Sequence, residues 1–115
     1  MSTHIEKPWG HEEIWAHTES YVGKILFIQK GKRLSLQHHI HKEENIRLIR
    51  GVLILTLGHS LQTLQKHELH AGDTAHIPSG MIHRMEALEE CEIVEVSTTE
   101  LDDIVRHEDD YGRAS

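Results

Sequence analysis

The chain has 115 residues, 37% of them hydrophobic, a formal charge of −7 and a single cysteine. That length suits one domain around one core. The acidity, with no basic stripe, argues against nucleic acid; no apolar run is long enough to cross a bilayer; and Cys91 alone excludes an internal disulfide.

A lone thiol fits a reducing cytoplasm, and MSTHIEKPWG lacks the charged-then-apolar pattern of a secretory signal. A cytoplasmic protein is therefore expected. Twelve histidines, scattered from His4 to His107, are too spread to be a tag. They should make the net charge change steeply between about pH 5 and 7.5.

Glycines punctuate the chain, and short aliphatic blocks lie between them. Strands are predicted over 12–16, 22–29, 33–40, 44–50 and 52–57, then over 61–65, 74–77, 82–87 and 91–97. Many short strands with regular turn signals predict an all-β sandwich or barrel. ILFI and VLILTL are apolar on both faces, as in a double-sheet jelly roll or a tight dimer. Gly72-Asp73 and Pro78-Ser79-Gly80 read as turns. Residues 61–70 have a helical alternative, and 99–105 could make a helical turn capped by Thr98 or Thr99. Cys91 opens a strand and reads as a buried, inert thiol. The tail RHEDDYGRAS reads as ordered, then frayed.

The stretch LSLQHHIHKEEN, residues 34–45, carries the chemistry. On a strand, Arg33, Ser35, Gln37, His39 and His41 share one face, with successive neighbours about 6–7 Å apart. Two neighbours in such a row can ligate one metal ion, and Glu44 can swing in as a carboxylate. The same pattern also describes a solvated polar face. A second block, Gly72 through Pro78 and Gly80 to His83, gives a strand, a turn and a histidine. His83 could supply a further ligand from an adjacent strand, or be incidental to a hairpin.

Together the two blocks resemble the paired motifs of the cupin superfamily. The first runs Gly31, five residues, Gln37, one, His39, four, Glu44, six, Gly51. The second runs Gly72, five residues, Pro78, one, Gly80, two, His83, with Ala87 where asparagine is usual. KPWG at 7–10, GKRLSLQHH at 31–39, IPSGMIHR at 77–84 and DDIVRHEDDYGR at 102–113 look like the C-terminal cupin domain of type II mannose-6-phosphate isomerases. In bifunctional relatives that domain follows a guanylyltransferase domain. The likeness covers the cupin part alone, so guanylyl transfer is not expected of this chain.

The resemblance implies a single cupin domain over 1–115, a double-stranded β-helix of jelly-roll type. It implies one divalent metal ion (Zn, Mn, Fe, Co or Ni) held by Gln37, His39, Glu44 and His83. It implies a carbohydrate or sugar-phosphate ligand and metal-assisted aldose–ketose isomerisation. Such a reaction needs a base within reach of the transferred proton, and His41 and His76 are the free histidines to consider. A phosphate needs cations, for which Lys24, Arg33, Arg106 and Arg113 are candidates. Trp9 and Trp15 read as core or dimer contacts, with a role near the pocket left open for Trp9, which sits in KPWG. A homodimer is expected from the doubly apolar strands. A non-catalytic metal- and sugar-binding cupin, or another cupin metalloenzyme such as an Fe(II) dioxygenase, shares the fold, so fold alone does not choose.

Overall fold

A computed structural model describes residues 2–114. Its strands are β1 (Thr3–Lys7), β2 (Gly10–His17), β3 (Val22–Ile28), β4 (Leu36–His38), β5 (Glu44–Arg50) and β6 (Leu53–Gly58). They continue as β7 (Gln65–Leu69), β8 (Thr74–Ile77), β9 (Ile82–Ala87), β10 (Cys91–Ser97) and β11 (Val105–Glu108). No helix occurs among the described residues. Two antiparallel sheets, ordered β1-β2-β3-β10-β5-β8 and β11-β4-β9-β6-β7, face each other as a jelly-roll barrel, the all-β class expected.

Side chains alternate across each strand, and the inward set changes character along its length. On β3 it runs from Ile28 and Leu26 to Lys24. On β10 it runs from Cys91 and Ile93 to Glu95, and on β5 from Leu48 and Ile46 to Glu44. Register lines these steps up: Cys91 opposes Ile28, Ile93 opposes Leu26, and Glu95 opposes Lys24. One end of the barrel is therefore apolar. Ile28, Leu48, Leu53, Leu55, Ile77 and Ile93 fill it, each essentially inaccessible. Each such side chain contributes about 1.5–3 kcal/mol by leaving water. The other end is polar and holds the pocket. Cys91 lies at the apolar end, buried as expected, its thiol pushed up by burial.

Several elements differ from expectation. The stretch 33–40 is extended, but only Leu36–His38 is laddered, with an isolated bridge from Arg33 to Glu86. The strand expected at 61–65 lies at Gln65–Leu69, because Ser60 and Thr63 bond each other into a turn. Residues 99–105 make a turn and lead into β11, which pairs with β4. β1 and β11 are edge strands rich in charge, with little apolar alternation to reveal them. The tail is fastened: Arg33 forks onto Asp110 at 2.7 and 2.9 Å, and the Tyr111 hydroxyl donates to the Arg33 carbonyl at 2.9 Å.

Gly10 allows β2 to begin. Its φ is +152°, and a Cβ there would meet the Phe27 carbonyl oxygen at 1.9 Å. Gly10→Ala should cost at least about 2 kcal/mol, combining φ strain with a backbone clash. Gly80→Ala, with positive φ but open space around it, should cost about 1 kcal/mol. Urea melts of the two variants check the difference.

Candidate metal centre

β4 and the loop after it bring Gln37 and His39 to the inner wall, β5 begins with Glu44, and β9 supplies His83. Gln37 and His83 pair directly across β4 and β9. His39, Glu44 and His83 are buried at 4%, 2% and 1% exposure. Each offers a ligand atom within 4.8 Å of the others. Glu44 Oε1 lies 3.1 Å from His39 Nε2 and 3.4 Å from His83 Nε2.

The far nitrogens of both rings are committed. His39 Nδ1 meets the Asp103 carbonyl, and His83 Nδ1 meets that of Met81 at 3.0 Å. A carbonyl only accepts, so both Nδ1 atoms carry the hydrogen. In neutral rings the two Nε2 lone pairs then point at a carboxylate. Three acceptors converge with no donor among them. A cation, or a proton shared among the rings and the carboxyl, reconciles such a set, and imidazoles anchored through Nδ1 to carbonyls are typical of metal-binding histidines. The donor set therefore fits a divalent ion. Gln37 presents its amide nitrogen, 3.4 Å from His83 Nε2, while its oxygen accepts from Ser35 Oγ at 2.8 Å. Rotating the amide by 180° would turn the oxygen inward, and Ser35 could then accept from the NH₂ group.

Asp103 clasps the loop after β4. Its carboxylate accepts from the backbone NH groups of Ile40, His41 and Lys42 at 2.9, 2.6 and 2.9 Å. These bonds hold its pKa down to about 2. The same residue's carbonyl orients His39, so one residue of the C-terminal segment shapes both loop and ligand.

The cluster lies in the wall of a cavity of about 440 Å³. Lys7, Lys24, Lys42, Arg106 and Arg113 line it, with Glu12, Glu44, Glu95 and Asp102. Glu12 Oε1 stands 3.5 Å from Lys24 Nζ and 3.8 Å from Lys7 Nζ. Lys42 Nζ approaches Glu95 Oε2 at 3.2 Å, outside hydrogen-bonding geometry, and that oxygen has no hydrogen-bond partner. Burial, then the neighbouring Glu44 charge, pushes Glu95 up to about 8, against the pull of Lys42. Burial alone would also raise Glu44, but hydrogen bonds from the His39 and His83 rings when these are protonated, then from the Glu95 carboxyl, together with the Lys42 charge, outweigh it and hold that carboxyl well below the usual range. The two carboxyls thus share one proton near neutrality, resident on Glu95.

Of the residues singled out from sequence, Gln37, His39, Glu44, His83, Lys24, Arg106 and Arg113 line this cavity. Arg33, His41 and His76 do not. Arg33 is tied to Asp110, His41 is exposed, and His76 pairs with Glu43 on the surface. Sequence reasoning missed Lys7, Glu12, Lys42 and Glu95 in the pocket. A charged residue at an inward position of an apolar strand, such as Glu95 in CEIVEV, was the available signal.

Solved structures share this barrel. CapF superposes with a TM-score of 0.82 at 14% identity, over 94% of this chain and 35% of that one. Oxalate decarboxylase from Bacillus subtilis gives 0.80 at 17%, over 92% and 30%. KdgF from Halomonas sp. gives 0.76 at 19%, over 87% and 88%. The barrel is that of the cupins, and it sets the two histidines and the carboxylate against one another on its inner wall. Sequence narrows the class: residues 1–109 match the family described as mannose-6-phosphate isomerase C-terminal. The chain belongs to that family. It is 30% identical to the mannose-1-phosphate guanylyltransferase ManC of Salmonella typhimurium, over 98% of this chain and 24% of that protein. It is 31% identical to the xanthan biosynthesis protein XanB of Xanthomonas campestris pv. campestris, over 95% and 23%. The chain thus spans about a quarter of the length of these relatives.

The Glu95 proton has a measurable consequence. Its carboxyl is protonated in the folded state up to about pH 8 but ionises near its ordinary pKa of about 4.3 when unfolded. The unfolded state therefore binds fewer protons across that window, and stability falls as pH rises through it. In chelator, wild type should lose stability relative to Glu95→Gln between about pH 5 and 8. Parallel pH series of thermal melts check the sign.

Proposed function

We propose that the protein is a divalent-metal cupin acting on a sugar phosphate, with aldose–ketose isomerisation as its reaction. The observation that carries this reading is the convergence of three buried acceptors in the wall of a cation-lined cavity, within a chain of net charge −7. Family membership and the guanylyltransferase and xanthan-biosynthesis relatives support a carbohydrate ligand.

His39, Glu44 and His83 would hold the ion, with Gln37 completing the set after its amide turns. A bound divalent ion would supply Lewis-acid polarisation of substrate oxygens. Mixed nitrogen and oxygen donors suit Zn, Mn, Fe, Co or Ni alike. Arg106 is the cation best placed for the phosphate: it lines the cavity, and its buried Nε has no hydrogen-bond partner. Lys24 and Arg113 also line the cavity, each already paired with a carboxylate. The base has to stand where the sugar binds. His41 and His76 lie outside the cavity, so this reading moves the role to Glu12, a cavity carboxylate that is not among the ligands.

Metal analysis and an isomerase assay on mannose 6-phosphate test the reading together. One metal ion per chain is expected, with affinity falling at least about 100-fold in His39→Ala and His83→Ala. Arg106→Ala should raise KM about tenfold or more with the metal retained. Glu12→Gln should lower kcat about 100-fold or more. Metal binding without turnover on any sugar phosphate would leave a binding cupin. Oxygen consumption specific to Fe(II) would point to a dioxygenase. Failure to bind any of the five metals would overturn the reading.

A further inference from the structure

Residues 40–43 separate His39 from Glu44, two of the three converging acceptors, and form no strand or helix. Among the described residues, none of their backbone NH groups donates to another main-chain group. Each donates instead to a side chain of the segment after β10. Ile40 NH reaches Asp103 Oδ1 at 2.9 Å, and the NH groups of His41 and Lys42 reach its Oδ2 at 2.6 and 2.9 Å. Glu43 NH reaches Thr98 Oγ1 at 3.0 Å, and Thr98 NH returns a bond to the Glu43 carbonyl at 3.0 Å.

Backbone NH groups need partners, and a loop that supplies none of its own takes its shape from whatever accepts them. Here the acceptors lie 55 and 61 to 63 positions further along the chain. The imposed shape turns Ile40, His41 and Glu43 to solvent and Lys42 inward. It also fixes where His39 ends one wall element and Glu44 begins the next. Gly80 NH donates to the His39 carbonyl at 2.7 Å, which ties the start of the loop to the turn before β9. The anchoring segment is itself part of the site, since Leu101, Asp102 and Ile104 line the cavity.

We propose that Thr98 and Asp103 are positioning residues for the metal: together they set the separation of His39 from Glu44, and so the affinity of the centre, without being ligands. The proposal rests on the reading of the centre as a divalent-metal site. Ligand atoms must be held to within about 0.5 Å of the productive geometry, and a four-residue loop released from its four acceptors would let His39 and Glu44 drift independently. An anchor that served folding alone would act on stability and leave affinity untouched. The fork of Arg33 onto Asp110 is such an anchor: it fastens the same C-terminal region to the barrel and bonds to nothing in the ligand loop.

Titration of the full chain with Zn²⁺ against a competing chelator tests it, with urea melts run beside it for stability. If wild type prefers another of the five ions, that ion is titrated instead. Asp103→Ala should weaken binding at least about 30-fold, and Asp103→Asn about tenfold, because the amide keeps one acceptor oxygen. Thr98→Val should weaken it about tenfold, and Thr98→Ser, which keeps the hydroxyl, should stay within about threefold of wild type. Asp110→Asn should lower stability yet stay within about threefold in affinity. If Asp103→Ala fails to fold, Asp103→Asn and the two Thr98 variants decide. Loop-anchor variants that bind as tightly as wild type, that lose no more affinity than Asp110→Asn, or a Thr98→Ser no better than Thr98→Val would overturn the proposal and leave the metal reading standing. A wild type that binds none of the five ions would remove both.

Discussion

The Glu44 carboxylate, 2% exposed among ring nitrogens that have no hydrogen left to offer it, is the constraint around which the polar half of the barrel is arranged. A buried carboxylate without a donor or a cation is prohibitively costly. The structure meets that cost from two sides. On one side, the paired imidazoles face it with nitrogens that are basic toward a proton or an ion. On the other, Glu95 remains protonated and leaves Glu44 as the ionised member of the pair. Lys42 supplies a positive charge that both carboxyls feel. The carbonyls of Asp103 and Met81 decide which ring nitrogens face inward, so backbone geometry selects the chemistry of the side chains.

This half is affordable only because the other half is dry. The same strands that carry Glu44, Glu95 and Lys24 bury Leu48, Ile93 and Ile28 a few residues away. The apolar end supplies cohesion, and the polar end is then free to hold groups that cost stability. Charged residues cluster in the cavity in near balance, so the interior tolerates them as pairs while leaving a buried, unpartnered Nε on Arg106. Net charge, −7 over the whole chain, conceals this local arrangement entirely.

Much of this was legible from residues alone, where periodicity and motif spacing agreed. The strands at 74–77, 82–87 and 91–97 fall where alternation placed them, and the spacings around Gly31 and Gly72 bring His39, Glu44 and His83 together in space. What was not legible depended on long-range contact. β1 and β11 are edge strands whose charged outward faces give no alternation to read. Arg33 shares the parity of Gln37 and His39, but a tail residue 77 positions later pulls it outward. His41 shares that parity as well, yet the ladder stops at His38, and the loop beyond it turns under the grip of Asp103. Glu95 carried a local signal in its parity with Cys91 and Ile93, but Glu12 carried none, because little apolar alternation around it tells which face of its strand meets a cavity.

The clasp at Asp103 bears on when the centre comes into being. His39 takes its orientation from a residue 64 positions further along, while Glu44 and Glu95 meet only when β5 and β10 have paired. These are contacts of long sequence separation, which form late in folding because loop closure must precede them. A chain still collapsing has the histidines but not their fixed tautomers, so it lacks the arrangement that would grip an ion. Ion capture would thereby be reserved for the completed barrel, and any ion so captured would stabilise that state selectively over its precursors.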